Sequence, residues 1–160
     1  MAQRRIAVIF HSQQAGNTRA AAELVAEGIR NGGEFEILIL NTNDARVDPL
    51  EIQECAAVAF GSPDYFSYPA GGMKMFMDDW LIADRAGTEG ISGMPVALFV
   101  THGGGGRAKE PMEQLFERVG PRAGDTLMIK GKPEGDDAKS CVALGEKLAA
   151  AAEASLNKGE

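Results

Sequence analysis

The sequence predicts an α/β domain of the doubly wound kind, with helices on both faces of a parallel sheet. Three observations carry that expectation. Short continuous apolar runs alternate with segments of helical period along the whole chain, the pattern of strands buried on both faces. Twenty glycines and an aromatic share of 6% suit a fold that spends glycine in the turns after its strands. The length, 160 residues, fits one domain with a core of its own.

The elements follow in order. Ile6 to Phe10 is the first apolar run and reads as a strand. From Asn17 to Asn31 the period becomes helical, with Ala21, Leu24, Val25, Gly28 and Ile29 on one face and Gly32-Gly33 as the stop. Phe35 to Leu40 is a second strand. Asp48-Pro49-Leu50-Glu51 matches a capping box with proline at the first helical position, so a short helix starts there. Ala56 to Phe60 is a third strand, ending at Gly61-Ser62-Pro63. Pro69 opens a helix with a buried stripe of Met73, Phe76, Met77, Trp80 and Leu81. Val96 to Val100 is a fourth strand. Met112, Leu115, Phe116 and Val119 mark the next helix, closed by Gly120-Pro121. Thr126 to Lys130 is a fifth, less hydrophobic strand. Asp136 and Asp137 cap a last helix, with Cys141, Val142, Leu148 and Ala152 inward and fraying expected from about Ser155. Five strands alternating with helices give a three-layer sandwich, and the order 2-1-3-4-5 is the expected one.

Charge and cysteine content narrow the function. A net charge of −7 argues against nucleic acid and anionic membrane as partners. Two cysteines outside any CxxC, Cys55 and Cys141, are too few for a disulfide scaffold or a zinc site. Both lie in patterns read as helical and apolar, which points to buried thiols. The first residues lack the apolar core of a signal peptide, and no run approaches the roughly 20 apolar residues that span a bilayer. The expected compartment is the cytoplasm.

In an open parallel sheet, ligands bind beyond the carboxyl ends of the strands, where the strand order reverses. Three loops meet there: Ser12 to Thr18, Ser62 to Tyr68 and Thr101 to Lys109. The first, Ser12-Gln13-Gln14-Ala15-Gly16-Asn17-Thr18, runs straight into a helix. It offers hydroxyl and amide donors, a glycine for close backbone approach and a helix N-terminus, which together suit a phosphate without lysine or arginine. It lacks the Walker ending and is not GxGxxG. Taken alone, it also reads as a polar capping turn without a ligand.

Ser-x-x-x-Gly-Asn-Thr after the first strand resembles the FMN phosphate loop of the flavodoxin superfamily. Gly61-Ser62-Pro63-Asp64-Tyr65-Phe66-Ser67-Tyr68-Pro69 with the following helix is similar to the matching segment of WrbA-like NAD(P)H:quinone reductases in that superfamily. Thr101-His102-Gly103-Gly104-Gly105-Gly106-Arg107 resembles the glycine-rich loop of the same group. Order and spacing agree from Arg5 to about Ala152, and three co-ordered loops are far more specific than one. The resemblance implies a flavodoxin-like fold and an FMN cofactor. Ser12 to Thr18 would hold the phosphate, with Ser62, Pro63, Asp64, Tyr65, Phe66 and Tyr68 along the ring. Thr101, His102, Gly103, Gly104 and Gly105 would face its pyrimidine edge. Asp64 has two further readings, a ribityl contact or plain rim acidity. His102 has an exposed loop position as its alternative, and His11 reads as a histidine satisfied by backbone. Trp80 reads as core, and Asp78 and Asp79 as surface charges.

Two functions fit. An electron carrier is favoured by the short length, the acidic composition and the absence of an insertion in the fifth strand. Acidic residues around the flavin would lower its potential. An FMN-dependent NAD(P)H:quinone oxidoreductase is the alternative, although only a short loop, Ala83 to Gly93, stands where such reductases carry insertions. The partners are then a redox protein or NAD(P)H and a quinone, with the chain a monomer or homodimer. A receiver module lacks its acidic cluster here, and a nucleotide hydrolase its magnesium ligands.

Overall fold

The computed structural model describes residues 2–13 and 16–159. Strands β1 (Gln3–Phe10), β2 (Glu36–Asn41), β3 (Cys55–Tyr65), β5 (Val96–His102) and β6 (Leu127–Lys130) form a parallel sheet in the order β2-β1-β3-β5-β6. A two-residue strand, β4 (Tyr68–Pro69), pairs antiparallel with the end of β3. Counting the parallel strands alone, this is the 2-1-3-4-5 order expected from the sequence.

The continuous apolar runs are explained by the two cores. Alternate residues of a strand face opposite sides. Ala7, Ile9, Val58, Phe60, Leu98 and Val100 face α2 (Gly71–Arg85) and α3 (Lys109–Phe116), against Met73, Phe76, Trp80, Met112 and Phe116. Ile6, Val8, Phe10, Ala57, Ala59, Ala97 and Phe99 face α1 (Asn17–Gly32) and α4 (Asp136–Lys158), against Val25, Ile29, Leu144 and Leu148. β2 and β6 are the sheet edges, which accounts for the weaker hydrophobicity of β6.

α1 and α4 touch backbone to backbone. A Cβ added at Gly28 would lie 1.9 Å from the Val142 carbonyl oxygen, and one at Gly145 would lie 2.0 Å from that of Val25. No larger residue fits at either position without moving a helix.

Several elements depart from expectation. β3 runs on to Tyr65 and turns back through Phe66-Ser67 into β4. Pro69 therefore pairs with Asp64 in that hairpin, and α2 starts only at Gly71. Proline is tolerated there because an edge position needs no N–H donor on its outer side. Cys55 begins β3 rather than lying on a helix. The Asp48 segment is a single 3₁₀ turn, Pro49–Ile52, in which the Asp48 carboxylate accepts the Leu50 N–H. α3 stops at Phe116, short of Val119, which is nonetheless buried. The cap of α4 is Gly135; Asp136 and Asp137 occupy its first turn, where they complement the helix dipole. That helix continues through Ser155 to Lys158, so the expected fraying is not seen.

Candidate functional site

The carboxyl ends of β1, β3 and β5 bring the three loops together. A crevice of about 260 Å³ is lined by Ser12, Gln13, Gly16, Asn17 and Thr18 from the first loop, Pro63, Asp64 and Tyr65 from β3, Thr101, His102 and Gly103 from β5, and Gly131 from the end of β6. A second hollow of about 390 Å³ shares Asp64, His102 and Gly103 with it and adds Phe66, Ser67, Gly104, Gly105, Gly106 and Arg107. The larger hollow of about 490 Å³, between the 3₁₀ turn and the end of α2, lies at the opposite end of the strands. Of its charged groups, Arg46 and Asp79 are bonded to each other and Asp48 accepts the Leu50 N–H, so it offers no convergent free donors.

The first loop is fixed from below. The Ser12 hydroxyl accepts the Arg19 N–H, at 3.1 Å, and so caps the first turn of α1. Gly16 sits so close that an added Cβ would stand 1.6 Å from Ser12 Oγ. Asn41, buried at the end of β2, clamps the same stretch. Its Oδ1 accepts the Ser12 and Asn43 N–H groups, both at 3.0 Å, and its Nδ2 donates to the Ser12 carbonyl at 2.8 Å. Sequence reasoning missed Asn41 because a polar residue at a strand end looks like ordinary turn chemistry. Gln14 and Ala15 lie outside the described residues. Arg19 is exposed and 3.7 Å from Asp44, so the loop's polar lining is neutral.

Thr18 and Thr101, both buried, join the first and third loops through their hydroxyls at 2.7 Å. His102 Nδ1 is 2.8 Å from the Gly104 carbonyl, which fits an Nδ1–H donor. Gly131 donates its N–H to the His102 carbonyl, which is how β6 enters the crevice. Gly103 and Gly104 face open space, while Gly105 and Gly106 are left-handed, with φ +57 and +64°. A side chain at either of the latter two would strain the loop.

The β3–β4 hairpin forms the opposite wall. Its turn residues, Phe66 and Ser67, have φ 56 and 63°, the signature of a type I′ turn that normally calls for Asn-Gly. Asp64 supplies what glycine does not. Its Oδ1 accepts the Ser67 N–H at 2.8 Å, and its Oδ2 reaches across to the Ala108 N–H at 3.1 Å. Both carboxylate oxygens are thus engaged by main chain. Among the described residues, Asp64 is the lone carboxylate lining either hollow, so the expected acidic surround is corrected to one tied-down aspartate facing His102 and Arg107.

The aromatic residues separate. Tyr65 lines the crevice, 40% exposed, with the edge of His11 at 6.1 Å. Phe66 projects from the hairpin tip, wholly exposed. Tyr68 is half-exposed and lines neither hollow. Ser62 is fully buried behind the hairpin, donating to the Pro63 carbonyl and accepting the Ala70 N–H. The structure thus brings neither Ser62 nor Tyr68 into the crevice. His11 is bonded through Nδ1 to the Thr42 hydroxyl at 2.9 Å, a side chain rather than backbone, and burial holds its pKa below the usual histidine range. Trp80 is core, its indole N–H donating to the Ile91 carbonyl. Asp78 pairs with Lys74, and Asp79 with Arg46. Among the described residues no cluster of three histidine, cysteine or acidic side chains is placed to hold a metal.

An open doubly wound sheet with a loop-lined crevice at its switch point is the architecture in which α/β proteins place their ligands. No family model matches the sequence. The chain is 28% identical over 153 residues to coenzyme F420H2 oxidase from Methanothermobacter marburgensis, covering 94% of this chain and 36% of that one. It is 26% identical to a flavodoxin from Clostridium beijerinckii over 136 residues, covering 84% and 92%. A solved flavodoxin from the domain Archaea superposes with a TM-score of 0.75 at 26% identity, covering 92% and 99%. The chain spans half or less of the length of several curated relatives it matches, the oxidase among them. In sequence and in fold the chain is similar to flavodoxins.

Proposed function

We propose that this chain binds FMN and works as an electron carrier. The observation that carries the reading is the meeting of a neutral, helix-capped loop with a glycine-rich loop at the switch point of the sheet. The first N–H groups of a helix lack intrahelical acceptors. With the Arg19 N–H taken by Ser12, those of Asn17 and Thr18, which have no acceptor among the described residues, point to a phosphate beside the side chains of Gln13 and Asn17. The Gly103 to Gly105 backbone passes without side chains along the remaining edge, and Tyr65 offers a partly open ring for stacking. Gln14 and Ala15 belong to the same proposed phosphate loop. Ser62 and Tyr68 support the wall rather than touch the ligand, and Phe66 stands at its outer rim.

When bound, FMN supplies one- and two-electron chemistry. The protein's part is to hold the phosphate, orient the ring, and set the polarity at its edge through His102, Thr101 and glycine N–H groups. No side chain has to act as an acid or base. The proposed setting is the cytoplasm, with the chain as one domain, monomeric or homodimeric; two free, buried cysteines suit a reducing compartment. A second reading, an FMN-dependent NAD(P)H:quinone oxidoreductase, is favoured by the hollow of about 390 Å³ adjoining the ring site.

Anaerobic titration of the FMN-loaded chain with NADH, NADPH and then dithionite separates the two. A carrier keeps its flavin absorbance with both nucleotides and bleaches with dithionite. Rapid bleaching by a nucleotide, reversed by a quinone, establishes the reductase instead. Absence of FMN binding defeats both.

A further inference from the structure

We propose that the mouth of the crevice is a basic docking face for an acidic redox protein; this rests on the FMN reading and adds the chemistry of the partner. The chain carries a net charge of −7, yet two segments beside the crevice hold cations and no acidic residue. Arg4, Arg5, Arg19, Arg46, Lys74 and Arg122 each have an acidic partner. Ten more are exposed and have no ion pair among the described residues: Arg30, Arg85, Arg118, Lys139, Lys147 and Lys158 lie elsewhere on the surface, and Arg107, Lys109, Lys130 and Lys132 belong to the loop after β5 and the end of β6.

These four meet at one place. Arg107 lines the outer hollow with Phe66. The Lys109 N–H donates to the Gly106 carbonyl, and the Gly131 N–H, between Lys130 and Lys132, to the His102 carbonyl. Lys130 lies opposite His102 in the β5–β6 register. No acidic residue occurs from His102 to Lys109 or from Thr126 to Lys132; they resume at Glu110 and Glu134. Asp64, the carboxylate on the same rim, is engaged by two N–H groups.

The shape suits a protein rather than a small anion. The cations come from two segments beside the opening, and Phe66, wholly exposed, lines the outer hollow with Arg107 as an apolar contact. An apolar contact ringed by charge is the anatomy of a transient interface. Because the Debye length is about 8 Å at physiological ionic strength, a docking partner senses this rim more than the negative charge on distant faces. The surface complementary to it is acidic.

The test uses the FMN-loaded chain and two probes by stopped flow. A reduced plant-type ferredoxin, which is acidic, gives one electron from its iron–sulfur cluster to the flavin. Oxidised mitochondrial cytochrome c, which is basic, takes one electron from the reduced flavin to its haem iron. Replacing Lys130→Glu with Lys132→Glu should slow the ferredoxin reaction at least about fivefold near 0.1 M ionic strength and speed the cytochrome reaction. Lys130→Arg with Lys132→Arg should leave both rates near those of the parent. FMN affinity, measured alongside, should not change in either variant. A parent chain that takes up no FMN defeats the underlying reading. An FMN-loaded parent whose rates ignore charge reversal, or move the opposite way, overturns the docking face alone. A glutamate variant that keeps its ferredoxin rate but loses NADPH binding overturns it in favour of a small-anion site.

Discussion

Asn41 and Gly16 show how single residues shape the site without touching a ligand. Asn41→Ala removes two hydrogen bonds to Ser12 in the first loop and one to Asn43 and leaves buried backbone groups unpaired, at a cost of about 1–3 kcal/mol. The expected result is a lower urea midpoint together with weaker FMN binding in a fluorescence titration. Gly16→Ala drives a methyl group into Ser12 Oγ, so FMN affinity should fall by about tenfold or more, while riboflavin, which has no phosphate, should lose much less. Equal losses for the two ligands would remove the first loop from phosphate binding. His11 makes a different claim. Burial lowers its pKa in the folded state, whereas the unfolded chain titrates at about 6.5. Its contribution to stability is therefore complete above that value and is lost as the pH falls below it toward the folded-state pKa, because the unfolded chain takes up the proton first. Urea midpoints at pH 7.5 and 5.5 should differ less for His11→Gln than for the parent.

At the scale of elements, the β3–β4 hairpin holds the clearest conflict between local preference and structure. Phe66 and Ser67 both adopt left-handed backbone, which costs roughly 1–2 kcal/mol for each such residue. Phe66→Asn with Ser67→Gly should raise unfolding stability by about 1–2 kcal/mol, read as a higher urea midpoint with an unchanged slope. The same conflict explains why the hairpin was not legible in the sequence. Phe-Ser gives no turn signal, and Pro69 looks like a helix start until its pairing with Asp64 is seen. The five parallel strands were legible because strands buried on both faces write themselves as continuous apolar runs. The crevice was legible too, since the switch point follows from strand order and three polar or glycine-rich loops end there. Gly131 and Arg107 were not singled out, since only the β5–β6 pairing and the fold of the third loop carry them to the rim. Asn41 is 29 residues from Ser12 in sequence, and nothing local ties the two together.

Across the whole molecule, rigidity comes from the α1–α4 contact and chemical inertness from burial. Gly145→Ala must push α4 off α1, so a loss of about 1–3 kcal/mol is expected, measured by thermal unfolding. Cys55 and Cys141 are both buried, and burial pushes each thiol up to about 11. The folded protein at pH 8 should therefore resist a thiol reagent such as DTNB, and both cysteines should react once urea unfolds it. Fast labelling of the native chain would show that one of these core positions opens readily.

The Thr18–Thr101 contact has a consequence in hydrogen atoms alone. Two hydroxyls 2.7 Å apart own two hydrogens, and one of these lies between the oxygens whichever way the bond runs. The other belongs to no partner within the pair. The floor of the crevice thus always carries one spare hydroxyl hydrogen, on Thr101 when Thr18 donates and on Thr18 when Thr101 donates. A guest that needs a donor at either position receives it by rotation of two hydroxyls, with no heavy atom moving.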